Sequence, residues 1–255
     1  FLLSHNLIPL ITFPFLLVWI IIHRPSTIVH YLLPTFVTLG LGAFYLLPLF
    51  FERQFVVADA VATTTDYARH FVAPSQLWNS LWGFGGSAPG LEDGMSFKLG
   101  KLHLIMAALG LVALFRSRSR RDWFIPLALF GALFMTTSAS QFLWRSLPFL
   151  PLVQFPWRFL TLAGFFLSLL AGYAAIILPR SLRLPYMLLA ISCLLFLNLK
   201  LFRPQSTFPT NLHQFTSSEY LSTIPLIIPE YQPVWLALDN PTYPDYRIIA
   251  TPYYP

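Results

Sequence analysis

Residues 99–139 read LGKLHLIMAALGLVALFRSRSRRDWFIPLALFGALFMTTSA, two apolar stretches joined by the basic RSRSRRD of residues 116–122. A bilayer core about 30 Å thick is crossed by roughly 17 to 25 mostly apolar residues in a helix, so each flank reads as a short membrane span. Four more stretches of this kind occur, at residues 5–22, 28–51, 159–178 and 184–202. The expected fold is therefore an all-α polytopic membrane protein with about six transmembrane helices and both chain ends on one side. Pro34 and Pro48 in the second stretch predict kinks, because neighbouring helices or water satisfy the carbonyl that a proline frees.

Composition leads to the same class. Over 255 residues, 56% are apolar and only 10% charged, against about 25% charged in an ordinary soluble domain. The net charge of +6 does not indicate nucleic-acid binding, because the surplus lies in short turns. Arg24, Arg116, Arg118, Arg120, Arg121, Arg180 and Arg183 occupy three alternate connections with Asp122, and the other segments hold nine positive and nine negative residues. Positive residues are retained on the cytoplasmic side, so these loops are expected inside. Residues 52–98, 140–158 and 203–255 are then extracytoplasmic. Trp19 and Trp123 fall at the inner boundary and Trp144 and Trp157 at the outer one, as interfacial aromatics do. The sequence thus predicts a multi-pass protein of a cell inner membrane.

The chain begins at Phe1 inside an apolar run and stops at TPYYP, so it reads as a fragment: a transmembrane domain over residues 1–202, then the start of an extracytoplasmic domain. Nine of the 22 prolines and six of the 11 tyrosines lie from residue 203 onward, and PLIIPEYQPVWL reads as extended because proline recurs too often for a helix. Cys193, the only cysteine, sits in AISCLLFL and reads as a small buried hydrophobe.

The loop over residues 52–98 is the most informative polar segment. Its glycines, Gly83, Gly85, Gly86, Gly90 and Gly94, permit tight turns whose N–H groups suit phosphate or sugar oxygens, without Walker or dinucleotide spacing. Asp66, Glu92 and Asp93 are candidate bases or metal ligands, or carboxylates that solvate the loop. Arg69 and His70 are candidates for donor phosphate. Trp78 and Trp82 either stack on a sugar or anchor at the headgroups. The prolines of residues 140–160 predict an interfacial or re-entrant element, and Arg158 either pairs bidentately with a lipid-linked phosphate or snorkels. Ser4 or Asn6 is an adequate N-cap for the first helix, with His5 beside it at the outer face. The histidines lack HxH or HExxH spacing, so no zinc site is expected; no cofactor is evident, and no ligand set supports a divalent metal.

SHN before an apolar helix, FERQFV, HFVAPSQLW, WGFGGSAPG, EDGMSFKLG, QFPWRFL and PEYQPVWL together resemble a family of large bacterial polytopic proteins. These are labelled 6-pyruvoyl-tetrahydropterin synthase-related membrane proteins and are similar in architecture to GT-C glycosyltransferases and YfhO-like proteins. The label's soluble zinc enzyme uses clustered histidines, which this chain lacks. The GT-C likeness implies transfer of sugar from a polyprenyl-phosphate donor on the outer membrane face. It also implies a catalytic carboxylate in a first outer loop that precedes these residues. Arg158, Arg69 and His70 would then neutralise donor phosphate, and His5, Asn6, Trp78, Trp82, Gly85 and Gly86 would line the pocket. A non-catalytic envelope transporter or scaffold is the alternative. A transporter needs polar residues at mid-membrane, and the first, fourth and fifth stretches hold almost none beyond their ends.

Overall fold

A computed structural model describes residues 7–23, 28–56, 66–81, 83, 85–91, 93–117, 119–204, 207, 209, 211–218, 220 and 221. Among them the regular elements are helices, and no strand forms. The fold is all-α. The α-helices are α1 (Leu7–His23), α2 (Ile28–Leu41), α3 (Ala43–Phe51), α4 (Pro74–Trp78), α5 (Lys101–Ser117), α6 (Phe124–Thr136), α7 (Gln141–Ser146), α8 (Leu160–Tyr173), α9 (Arg180–Leu197) and α10 (Leu212–Thr216).

Each of the six apolar stretches is helical, but fewer helices have the length to cross a membrane. Among the described residues two are long and apolar enough: the 22 residues Pro156–Ile177, which include α8, and the 18 residues Arg180–Leu197. A third counts if Arg121–Thr136 and Ser138–Ser146, bent by 88°, form one span. Among the described residues, length and composition support two or three of the six expected spans. The second stretch divides at Gly42, yet its hydrogen bonds carry through: Gly42 N–H donates to Thr38 O at 2.9 Å and Leu46 N–H to Gly42 O at 2.9 Å. Both prolines lie inside helices, Pro34 in α2 and Pro48 in α3, without interrupting either.

The chain divides into two compact units, residues 1–34 with 66–205 and residues 35–65 with 206–255. In the first unit α8 is central. It buries Leu162, Ala163, Phe166, Leu167, Leu170 and Ala171, a spacing that covers two helix faces at once. One face packs with Ile11, Phe124, Ala128, Ala132, Trp144 and Phe159, the other with Ala107 and Leu114. Small residues mark the helix contacts, Ala128 and Ala132 on α6 and Ala107, Gly110 and Ala113 on α5, because small side chains let backbones approach. By contrast α9 buries no residue, and Leu189 and Phe196 are 65% and 74% exposed. In the second unit, α10 is capped by Asn211, whose side chain accepts from His213 N–H at 3.0 Å. The proline-rich PLIIPEYQPVWL lies outside the described residues.

At the arginine-rich end, His23 Nε2 lies 3.7 Å from Asp122 Oδ1, which ties the end of α1 to the turn before α6. The bend after α6 is built from hydroxyls. Thr136 Oγ1 donates to Leu133 O at 2.6 Å, Thr137 Oγ1 to Phe134 O at 2.9 Å and Ser140 Oγ to Thr137 O at 2.8 Å. Short polar side chains compete with the helical ladder in this way, and here TTSAS turns an apolar helix sharply while leaving buried Thr136 and Ser140 satisfied. The interfacial element expected over residues 140–158 is thus a short helix and two 3₁₀ turns, Pro151–Val153 and Pro156–Phe159.

Candidate functional site

The loop over residues 66–100 packs against this bent element. Tyr67 stacks on Trp144 with centroids 5.2 Å apart, Phe71 meets the same indole edge-on at 6.0 Å, and Val72 N–H donates to Thr136 O at 2.9 Å. Further along, buried Gln76 holds the loop together. Its Oε1 accepts from Ala73 N–H at 2.9 Å, and its Nε2 donates to the carbonyls of Gly90 and Leu91, each at 3.4 Å. Ser80 Oγ likewise accepts from Phe97 N–H at 2.9 Å and Lys98 N–H at 3.2 Å. The glycine-rich portion closes where Gly85 N–H donates to Gly94 O at 2.7 Å. A Cβ on Gly94 would stand 3.0 Å from Gly85 Cα and 3.0 Å from Gly86 O, so a larger residue would press on the facing backbone.

His70 and Arg158 come together across one ring. The His70 imidazole meets Phe155 edge-on at 5.0 Å, and the Arg158 guanidinium lies over Phe155 at 5.1 Å and Trp157 at 5.9 Å. Arg158 Nη1 donates to Val153 O at 2.7 Å and to Gln154 Oε1 at 2.9 Å. Between those partners the backbone is strained. Gln154 has φ 65° and ψ −49°, and Phe155 N–H donates across it to Val153 O at 2.7 Å, a γ-turn of the rare positive-φ kind. Such conformations cost on the order of 1–3 kcal/mol and persist only where surroundings enforce them. Arg158 clamps both sides of the turn.

Beneath the turn lies an apolar slot of about 230 Å³, lined among others by Leu10, Pro14, Leu147, Phe149, Leu150 and Val153. Val153 belongs to both features: its side chain lines the slot and its carbonyl holds Arg158.

The other sequence candidates separate. Asp66 is exposed and caps the turn Tyr67–Arg69, accepting from Ala68 N–H at 3.1 Å. Arg69 is exposed. Asp93 accepts from Ala88 N–H at 3.0 Å and from the amides of Gly94 and Met95. Burial raises its carboxyl above the ordinary range, and those amides and His70 only partly offset this. Trp78 is 57% exposed, with Lys101 Nζ 5.4 Å above its ring. His5, Asn6, Trp82 and Glu92 lie outside the described residues. Sequence reading missed Gln154, Phe155 and Ser87, and a glutamine between proline-rich runs gave no signal for a γ-turn.

His70 Nδ1 is 3.0 Å from Ser87 Oγ. Burial lowers its pKa; Asp93 and, more weakly, Asp66 oppose that shift, and Arg69 adds to it. A histidine lowered below its unfolded value of about 6.5 contributes stability that is complete above that pH and is lost as pH falls through the folded value. Loop protection against protease at constant temperature is therefore expected to weaken as pH drops from 7 to 5. His70→Gln should flatten that dependence, and an unchanged profile in this variant would assign the effect to another group.

Among the described residues no three His, Cys, Asp or Glu side chains converge as a metal site would require. No protein-family model, curated protein or solved structure matches this chain.

Proposed function

We propose that this chain is part of an integral protein of a bacterial cytoplasmic membrane, GT-C-like, that transfers sugar from a polyprenyl-phosphate donor on the extracytoplasmic face. The observation that carries the reading is the meeting of a cation and an apolar slot at Val153. A polyprenyl phosphate has the same two parts, an anionic head and a branched hydrocarbon tail. Arg158 spends only Nη1 on the γ-turn, which leaves the Nη2 and Nε side of its fork for phosphate oxygens. Its guanidinium lies over aromatic faces, which orient it without neutralising its charge. His70, on the other side of Phe155, is the second group that would meet the head. The Gln154 strain supports a functional role, because strained residues cluster at ligand clamps.

Two long apolar helices, one of them with no buried residue, support membrane embedding. The carboxylates Asp66 and Asp93 are engaged by backbone amides, so neither is proposed as the base of the transfer. That same engagement favours the alternative of a non-catalytic lipid-binding transporter or scaffold.

The test is binding of a long-chain polyprenyl phosphate and of the matching polyprenol to the detergent-solubilised protein. Arg158→Lys keeps a charge but loses the fork, and it should weaken the phosphate form roughly tenfold, about 1.4 kcal/mol, while leaving polyprenol binding in place. Phe149→Trp, which fills the slot, should weaken both. Equal affinity for the two lipids in the unaltered protein would sink the reading.

A further inference from the structure

A second groove lies at the opposite, arginine-rich end of α1. It has a volume of about 380 Å³ and runs between Pro14, Val18 and Ile22 of α1 and Phe124, Leu127 and Ala128 of α6. Its mouth is formed by Arg120 and Arg121, both exposed, with Trp123 beside them. The walls are apolar and the cations stand at one end only.

We infer that this groove seats one acyl chain of an anionic glycerophospholipid, whose phosphate is held by Arg120 and Arg121. Three observations carry the inference. First, Pro14 to Ile22 along α1 spans about 12 Å at 1.5 Å per residue, which matches one leaflet of a hydrocarbon core about 30 Å thick. Second, no ion pair among the described residues engages the two arginines. Asp122, the acidic residue of that turn, is engaged with His23 at 3.7 Å and with the hydroxyls of Ser119 and Tyr173, and neither Arg120 nor Arg121 pairs with it. Third, Trp123 packs edge-on against Phe115 at 4.6 Å beside the cations, in the arrangement of an interfacial aromatic next to a headgroup site.

An anionic headgroup complements this pair, whereas a zwitterionic one brings its own cation to the same place. A second protein copy would need carboxylates to satisfy both arginines, and it would leave the narrow apolar run behind them unfilled. The groove shares Pro14 and Phe15 with the slot of the polyprenyl-phosphate site, but none of the residues altered to test it, Val18, Arg120 and Arg121, belongs to that site. It does rest on the reading of the chain as membrane-embedded.

That reading is tested separately, by whether the full chain stays in the membrane fraction at alkaline pH. With membrane residence established, native mass spectrometry of the detergent-solubilised protein, titrated with phosphatidylglycerol or phosphatidylcholine, tests the groove. The unaltered protein should retain one phosphatidylglycerol in preference to phosphatidylcholine. A cation near the headgroup is worth about 1 kcal/mol, so Arg120→Gln and Arg121→Gln should each lower that retention roughly fivefold. Val18→Trp, at an exposed groove position, should also lower it with both arginines present. Arg116→Gln, an exposed cation outside the groove, should leave it unchanged. Equal retention of the two lipids, loss in Arg116→Gln as large as in the groove variants, or full retention in Val18→Trp would each overturn the inference.

Discussion

Among the described glycines, Gly110→Ala is expected to be the most damaging substitution. A Cβ on Gly110 would overlap the carbonyl oxygen of Leu170 and stand 2.7 Å from its carbonyl carbon. Those atoms are α8 backbone, so no rotamer change relieves the clash, and α5 and α8 must separate. Separation would loosen Ala107 and Leu114 from Leu167 and Leu170, the cluster that joins the two helices. Overpacking in a core costs typically 1–3 kcal/mol, and the rigidity of a backbone neighbour puts this site at the upper end. For a chain of this length that is roughly a 6–12 °C fall in melting temperature. The control is Gly164→Ala, on α8 itself, where an added Cβ meets nothing within 4 Å. There the same substitution should be neutral or stabilise by about 0.4–1 kcal/mol through the unfolded chain. Thermal unfolding of the two variants in one detergent reads the contrast, and equal melting temperatures would contradict the close helix contact.

The comparison also shows what the sequence carries and what it does not. Hydropathy placed helices in all six apolar stretches, because mean burial or lipid exposure is written in residue type. It did not distinguish Gly110 from Gly164, since both are glycines in apolar helices and only the partner backbone separates them. It did not reveal the bend that follows residues 123–136, because TTSAS reads as mildly polar, whereas its hydroxyls bond back to the carbonyls of the preceding turn and the chain bends there by 88°. Within the site, Arg158 and His70 were legible as a cation and an imidazole in aromatic surroundings. Their meeting at Phe155 was not, because it depends on a loop and an element about 85 residues apart in sequence being joined by packing. Arg69 was as basic as Arg158 and adjacent to His70, yet it is exposed, because a 3₁₀ turn capped by Asp66 sets which side chain faces inward.

Trp144 is the residue on which that packing depends, and Trp144→Ala should uncouple the loop from the helices. The indole has no exposed surface and contacts three rings: Tyr67 and Phe71 of the loop, and Phe159 at 6.1 Å where the chain enters α8. Truncating a buried tryptophan costs about 3–5 kcal/mol. Most of that cost is packing, not hydrogen bonding. Trp144 Nε1 reaches Met135 O only at 3.3 Å, long for an N–H···O bond. Trp144→Phe should therefore cost far less than Trp144→Ala, because it keeps ring contacts and forfeits only that long hydrogen bond. With the indole gone, the loop keeps the bond from Val72 N–H to Thr136 O at the end of α6 but loses the ring stack beside it. Cleavage by a protease within residues 66–100 should then appear well below the temperature at which the helices unfold. His70 is carried by the same segment as Tyr67 and Phe71, so loss of their ring contacts should also separate it from Phe155 and weaken polyprenyl-phosphate binding. A Trp144→Ala protein whose loop stayed as protected as in the unaltered chain would show that Gln76 and Ser80, not the indole, hold the site together.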